Sequence, residues 1–319
     1  MVVWDAHTFA HLRTLGAPPG ASSAPPGQNT GVSGAEVFRL AVSPDDRLIA
    51  AVRLDGSVRV LDMATGHDAF TVDAGPAVAP FMAVSWSNDS NLLAVAANDG
   101  RTGRATIVDR TGHVVAVRQE EFGVALAGVF FTPDDEQIFT TRLPIEPPDE
   151  GQGEIVTWNW HDGRVAKILD VPAQFAFPSP TGDLIATVAP TNSQSASVEL
   201  WDPATGQRVA ALEGSAGSEL GFAFSPDGRR IATGGIDGTV TIWDTASGEQ
   251  LLVLRGHYTF VASVAFSPDG SQLASVGAEG VVRIWALDLD DLVDIAEREL
   301  TRTLTDAECK QYLHLTQCP

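Results

Sequence analysis

The stretch Phe222–Leu254 reads FAFSPDGRRIATGGIDGTVTIWDTASGEQLLVL and contains four short apolar segments separated by turn residues. In Ser225–Gly228, proline presets φ and glycine accepts the left-handed conformation, while Asp237-Gly238 and Ser247-Gly248 are two further turn signals. The pattern predicts antiparallel strands at about 222–224, 230–234, 239–243 and 250–254. A single four-stranded meander cannot bury both of its faces, so we expect neighbouring copies of the unit.

Copies of this unit recur six times at a spacing of 42 to 47 residues, which is the period of a four-stranded propeller blade. The turn signatures begin at Ser43, Ser87, Thr132, Ser179, Ser225 and Ser267. The second strands are predicted at Leu48–Val52, Leu92–Ala96, Gln137–Thr141, Leu184–Val188, Arg230–Gly234 and Gln272–Val276. The third strands are predicted to end at Leu61, Val108, Trp158, Trp201, Trp243 and Trp285.

The run Thr239–Asp244, which follows an SPDG turn, resembles a blade of the WD-repeat (WD40) β-propeller family, and the motif recurs over most of the chain. The resemblance implies an all-β fold of four-stranded antiparallel blades, with six full repeats plus a partial N-terminal blade, in a ring of six or seven. It also implies a structural hydrogen-bond network of His, Ser or Thr, Asp and Trp in each blade. The matching residues are Thr233, Asp237 and Trp243 in the fifth repeat, and His257, Ser275 and Trp285 in the sixth, with Glu279 in place of Asp. The other repeats match less of this set.

The sequence divides into partial blade strands and a Pro/Gly-rich linker (1–36), the WD40 β-propeller (37–286) and a short C-terminal helical tail (287–319). Val2–Asp5 and His11–Leu15 match the third and fourth strands of a blade whose first two strands are missing. Either an N-terminal strand closes a six-bladed ring, or the chain is the C-terminal part of a longer protein, which is the explanation we favour. After Trp285 the apolar spacing becomes helical, so we do not expect the C-terminus to supply the fourth strand of the last blade.

Composition restricts the classes of partner. The 319 residues carry a formal net charge of −21, from 20 basic and 41 acidic side chains, which disfavours nucleic acid and anionic membrane surfaces. No apolar run reaches the length of about 18 residues that a transmembrane helix needs, and the N-terminus does not resemble a signal peptide. We therefore expect a cytoplasmic, monomeric propeller. Cys309 and Cys318 could be inert thiols, a local disulfide or half of a metal site, and a reducing compartment disfavours the disulfide.

Few residues form a pattern that is typical of a catalytic, metal-binding or phosphate-binding site. The grouping of His257, Ser275 and Glu279 superficially resembles a hydrolytic triad, but we favour a buried polar network that satisfies its own donors and acceptors. The seven histidines are scattered over turns and termini, and five of them lie in blade-edge turns or terminal segments without metal-ligand spacing. No phosphate-binding glycine motif occurs between a strand and a helix. We therefore expect no catalytic residue, no cofactor and no metal.

Partner contact is the functional hypothesis that remains. Long hairpins join the second and third strands at Asn98–Arg104, Leu143–Glu154 and Ala189–Ser197, and we expect them on one sector of one rim. Tyr258 and Phe260 lie in a loop expected on the same face, where they could anchor a partner or pack on the neighbouring blade. The candidate partner-binding residues are Tyr258, Phe260, Asp99, Arg101, Glu146, Asp149 and Glu150.

The tail Asp288–Pro319 resembles the end of WD-repeat regions in large actinobacterial multidomain proteins, in which the propeller follows an NTPase or another effector domain. This resemblance implies a bacterial sensor or scaffold that binds an unidentified protein and regulates an effector domain. We therefore expect a non-catalytic protein-interaction module. The alternatives are a propeller enzyme of the hydrolase or lactonase type and a truncated fragment of a larger protein.

Overall fold

The computed structural model describes residues 2–4, 11–14, 37–53, 57–73, 83–144, 153–171, 173, 175–188, 198–213 and 217–288. All regular secondary structure in these ranges is β-strand, and they contain no helix that could cross a membrane. The predicted linker at 16–35, the predicted helical tail from residue 289 onward and both cysteines lie outside the described residues.

Six blades follow one another along the chain after an N-terminal strand pair. The N-terminal pair consists of β1 (Val2–Trp4) and β2 (His11–Thr14). Blade 1 consists of β3 (Val37–Val42), β4 (Leu48–Arg53), β5 (Ser57–Asp62) and β6 (Asp68–Asp73). Blade 2 consists of β7 (Ala83–Trp86), β8 (Leu92–Asn98), β9 (Gly103–Asp109) and β10 (Val114–Gln119). Blade 3 consists of β11 (Val124–Phe131), β12 (Gln137–Pro144), β13 (Glu154–Asn159) and β14 (Val165–Leu169). Blade 4 consists of β15 (Phe175–Pro178), β16 (Ile185–Val188), β17 (Val198–Trp201) and β18 (Arg208–Leu212). Blade 5 consists of β19 (Gly217–Phe224), β20 (Arg230–Gly235), β21 (Thr239–Asp244) and β22 (Gln250–Arg255). The described strands of blade 6 are β23 (Val261–Phe266), β24 (Gln272–Gly277) and β25 (Val282–Ala286).

Each blade is an antiparallel meander whose strands pair in chain order. Blades 1 to 5 have four strands, and the described residues of blade 6 supply three. The predicted strands are confirmed to within a few residues at their ends. The described pairing joins β2 to β1 in a separate two-stranded sheet, and does not join it to β25.

The turn between the first and second strands is built the same way in every blade. In blade 5, the Ser225 hydroxyl bonds the Asp227 carboxylate at 2.6 Å and accepts the Arg230 N–H at 2.9 Å. The hydroxyl-to-amide bond recurs at the other five signatures. The Ser225 hydroxyl also holds the pKa of Asp227 below its usual value. The hydroxyl at the start of each turn therefore sets the register of the hairpin. It bonds the Asp two residues later in five blades, and in blade 4 Ser179 bonds Asp183 instead.

The left-handed residue of this turn differs between the two halves of the propeller. It is glycine in blades 4 to 6, but Asp46, Ser90 and Asp135 in blades 1 to 3, with φ of 57°, 64° and 59°. Ser90 accepts the Asp45 N–H of blade 1 at 3.0 Å, and Asp135 accepts two backbone N–H groups of blade 2 at 2.8 and 2.9 Å. These bonds between blades offset the conformational cost of a side chain at positive φ.

The hydrophobic core lies between the faces of adjacent blades. Blades 1 and 2 share one cluster of buried side chains, and blades 2 and 3 share the next. Farther along, the Phe177 ring of blade 4 lies 5.4 Å from the Phe130 ring of blade 3 and 4.3 Å from the Phe222 ring of blade 5, measured between centroids. These clusters and ring contacts combine side chains of two neighbouring blades, so most of the core lies between blades.

Candidate functional site

The predicted network of blade 6 is formed. The His257 Nε2 atom lies 2.8 Å from the Ser275 hydroxyl, and its Nδ1 lies 2.5 Å from Glu279 Oε1. The Trp285 indole donates to the same Ser275 hydroxyl at 2.8 Å. The Thr259 hydroxyl donates to the other oxygen of Glu279. This chain of bonds joins the loop before β23 to β24, β25 and the hairpin between them.

The distances among Ser275, His257 and Glu279 match the spacing of a hydrolytic triad, but the three side chains are buried. Ser275 and His257 are both buried, and the side chains of His257 and Glu279 are almost wholly covered. The Ser275 hydroxyl also accepts the indole N–H of Trp285, so it takes part in hydrogen bonds to two side chains of the blade. The arrangement is a closed polar network that fixes the blade.

Glu279 is held as a carboxylate by this network. Its pKa lies at about 2, below the ordinary value of 4.5, because the Thr259 hydroxyl and then the His257 ring hydrogen-bond to it. A buried carboxylate with these partners stabilises the folded state only while it is ionised.

Blade 5 forms a smaller version of the network. The Trp243 indole donates to the Thr233 hydroxyl at 2.9 Å. Asp237 instead binds the N–H of Thr239 at 3.0 Å and its hydroxyl at 2.6 Å, so it closes its own hairpin turn. The structure thus brings together two of the three residues predicted for this blade.

The indole-to-hydroxyl bond also occurs in blade 4, where it was not predicted. The Trp201 indole donates to the Thr187 hydroxyl at 2.9 Å. In blade 3, Thr140 has the same place in the strand register, but its hydroxyl donates to the Val156 carbonyl. The buried Trp158 indole N–H has no hydrogen-bond partner among the described residues. The position of the threonine could have predicted this bond. In blade 4, Ile185 of the second strand pairs with Trp201 of the third, and Thr187 lies two residues after Ile185.

Tyr258, Phe260 and Ile236 are exposed apolar side chains on two neighbouring loops, which are here together called the blade 5–6 surface. Tyr258 is 76% exposed, Ile236 65% and Phe260 45%. An added Cβ on Gly238, two residues after Ile236, would lie 2.4 Å from the His257 carbonyl oxygen, so the two loops are in direct backbone contact. The three side chains therefore stand on a support that the blade 6 network fixes, and Tyr258 does not pack into a neighbouring blade.

Two further predicted residues lie on the hairpin between β8 and β9. The Asp99 carboxylate accepts the N–H groups of Arg101 and Thr102 at 2.8 and 2.7 Å, which lowers its pKa and holds its own turn. The Arg101 guanidinium lies 6.0 Å from the centre of the exposed Phe122 ring. Phe122 was not predicted, although it occupies the same kind of loop as Tyr258, between the last strand of one blade and the first of the next.

Three acidic candidates, Glu146, Asp149 and Glu150, lie outside the described residues. The hairpin that carries them starts from a buried ion network. The Glu120 carboxylate lies 2.8 Å from Arg118 Nε and 2.7 Å from Arg142 Nε, and Arg142 also pairs with Glu154 at the start of β13. This network connects blades 2 and 3 and holds both ends of the acidic hairpin.

Metal-ligating side chains do not converge in the described ranges, where no three His, Cys, Asp or Glu residues form a group that could hold an ion.

Comparison with known proteins agrees with this architecture. A family model described as "WD domain, G-beta repeat" matches residues 28–62, 206–244 and 248–286. Protein HIR1 from Gibberella zeae is 24% identical over 257 residues, which are 75% of this chain and 20% of that protein. The chain thus spans about a fifth of the length of this relative. The repeated turn, the strand order and the indole-to-hydroxyl bonds agree with the family match, and the chain therefore contains WD40 repeats within a six-bladed β-propeller.

Proposed function

We propose that this protein is a non-catalytic interaction module that binds a protein partner through the blade 5–6 surface and regulates a linked or partner effector domain. WD40 propellers generally serve as protein-interaction scaffolds. The observation that carries the proposal is the exposure of Tyr258, Phe260 and Ile236 on two loops that contact each other.

The physical case rests on rigidity and apolar area together. Aromatic side chains are favoured as interface anchors because they bury a large surface at a small cost in conformational entropy. The His257–Ser275–Glu279 network holds the loop that carries Tyr258, so little further ordering is needed when a partner binds. We infer a partner that offers apolar side chains to this surface.

The strong acidity of the chain favours a protein partner over nucleic acid or an anionic membrane, because both carry negative charge. In this proposal the propeller is a monomer in the cytoplasm of a bacterium and needs no cofactor. The Arg101–Phe122 pair on the blade 2–3 side is a second, smaller contact area on the same kind of loop.

The test is quantitative capture of partners from the source organism by the wild-type protein and by a Tyr258→Ala/Phe260→Ala double variant. We expect the affinity for the captured partner to fall by at least about tenfold in the double variant. Leu251→Ala is the matched control, since Leu251 is also exposed but lies on the outer strand β22. Equal binding by the wild type and the double variant would exclude this surface.

A further inference from the structure

The hairpins between the second and third strands of blades 5 and 6 have the same backbone turn. At residues 235–238 and 277–280, the N–H of the last glycine donates to the carbonyl of the first, at 3.3 and 2.9 Å. The last glycine has φ of 80° in blade 5 and 79° in blade 6. The third residue of the turn is acidic in both, Asp237 and Glu279, so the two carboxylates start from equivalent backbone positions.

The Asp237 carboxylate closes its own hairpin. It accepts the N–H of Thr239 at 3.0 Å and the Thr239 hydroxyl at 2.6 Å. The corresponding residue of blade 6 is Val281, as the pairing of the second and third strands shows, and valine has no hydroxyl to offer. The hairpin of blade 6 therefore lacks the side-chain donor that holds the acidic residue of blade 5 in place.

Glu279 reaches the loop before β23 instead, and it uses both carboxylate oxygens there. Its Oε1 lies 2.5 Å from His257 Nδ1, and its Oε2 accepts the Thr259 hydroxyl. The Thr259 oxygen in turn accepts the backbone N–H of Glu279 at 3.1 Å. The carboxylate lies over Gly277, where an added Cβ would overlap Oε2. The longer side chain thus spans two residues of one loop, an arrangement here called the Glu279 clamp.

Thr259 lies between the two aromatic residues of the blade 5–6 surface. Tyr258 precedes it and Phe260 follows it, and these side chains are 76% and 45% exposed. The Phe260 carbonyl also accepts the N–H of Ala278, the residue before Glu279, at 3.0 Å. The Glu279 clamp therefore holds the backbone of the loop at the point that carries both aromatic side chains.

We propose that Glu279 is a positioning residue of the partner site, an inference that rests on the proposed function. Its Oε1 belongs to the structural network through His257, and its Oε2 orders the loop through Thr259. A loop that is ordered in advance loses less conformational entropy on binding, so the clamp raises the affinity for a partner that it does not touch. Aspartate is one methylene shorter and too short to span both residues, so we expect glutamate to be required.

Two variants open the clamp and leave both aromatic side chains in place. Glu279→Asp/Val281→Thr rebuilds the hairpin of blade 5 in blade 6, so that the carboxylate can bind its own turn. Thr259→Val removes the other end of the clamp. The control is Thr205→Val, which loses the same kind of bond between a hydroxyl and a carboxylate, at 2.8 Å to Asp202, in a turn of blade 4.

The readout is hydrogen exchange of the amide at residue 278, which donates to the loop, expressed as a protection factor from NMR. Both clamp variants should lower this protection by at least about tenfold, since each loses a hydrogen bond to a charged group, and Thr205→Val should not. Exchange at residues 273–276 should stay unchanged, because β24 keeps its pairing on both sides. Unchanged protection at residue 278, or an equal loss in β24, would overturn the proposal.

Binding separates this inference from the proposed function. The clamp variants and Tyr258→Ala/Phe260→Ala are titrated with the partner protein that the wild-type chain captures. We expect the clamp variants to bind at least about fivefold more weakly than the wild type. If they bind like the wild type while the aromatic variant does not, Glu279 is not a positioning residue and the proposed function stands. If the aromatic variant also binds like the wild type, the proposed function fails, and this inference fails with it.

Discussion

Replacing Gly182 with alanine should weaken the contact between blades 3 and 4. Gly182 has φ of +76° in the turn between β15 and β16, and an added Cβ would lie 2.5 Å from Pro133 Cγ and 2.9 Å from Pro133 Cδ. Both atoms belong to a proline ring in the neighbouring turn, so they cannot swing aside like the end of a flexible side chain. The blades would have to separate locally to admit the methyl group.

The magnitude follows from two contributions. The left-handed conformation costs a residue with a Cβ about 1–2 kcal/mol. Forcing a methyl group into a packed contact costs roughly 1–3 kcal/mol more. We therefore expect Gly182→Ala to lower the free energy of unfolding by about 2–5 kcal/mol.

Gly163→Ala is the matched control. Gly163 has φ of +72° in the turn between β13 and β14, but no atom lies within 4 Å of its added Cβ. It should therefore lose only the conformational part, about 1–2 kcal/mol. The assay is urea unfolding followed by tryptophan fluorescence, with the denaturation midpoints of both variants compared with the wild type. If Gly182→Ala is no more destabilising than Gly163→Ala, the turns of blades 3 and 4 are not in close contact and the reasoning fails.

Three further substitutions test the hydrogen bonds. Asp135→Ala should lower the free energy of unfolding more than Asp135→Gly. Both variants lose the hydrogen bonds to blade 2, but only alanine keeps the conformational cost of a Cβ at φ of 59°. A urea titration that ranks the two variants in the reverse order would contradict this. Glu279→Gln should destabilise the protein above pH 4.5, and the difference in stability from the wild type should disappear as the pH falls towards 2. The reason is that the pKa of this carboxylate is lower in the folded than in the unfolded state. A difference in melting temperature that stays constant across this pH range would contradict the prediction. Thr187→Val should cost about 1–2 kcal/mol, since it leaves the Trp201 indole without an acceptor, and Thr140→Val should cost less than half as much in the same urea assay.

Much of the fold could be predicted because its signals are local. The turn residues and the alternating strands appear within single repeats, and the period of 42 to 47 residues follows from comparing them. The second and third strands of every blade lie where these signals place them. The blade 6 network could also be located, since His257, Ser275 and Trp285 follow a known pattern. Asp237 shows the limit of this approach, because an acidic residue in a hairpin can bind its own turn as readily as a distant partner.

Other features depend on the neighbouring blade and could not be read from one repeat. The Thr187–Trp201 bond escaped notice because a longer hairpin separates the two residues by fourteen positions, whereas ten separate Thr233 from Trp243. Nothing in the sequence distinguishes Glu120 from the other acidic residues, of which there are 41 in all. In the structure, Arg142 of blade 3 lies beside it, and Glu120 is the centre of a buried ion network. Asp99 was a candidate for partner contact, yet the fold of its own hairpin already uses its carboxylate.

The blade as a unit, the number of repeats and the turns that set their register can be predicted from side-chain alternation and short-range hydrogen bonds. Which residues make the contacts between blades, and which remain exposed, depends on how adjacent blades pack. Asp135 meets the turn of blade 2 across a separation of 46 or 47 residues, and Leu40 and Val42 are left uncovered where Val84 and Trp86 are buried. The physical reason is that burial in a propeller is a property of two adjacent blades, so the role of each side chain depends on whether a neighbour is present.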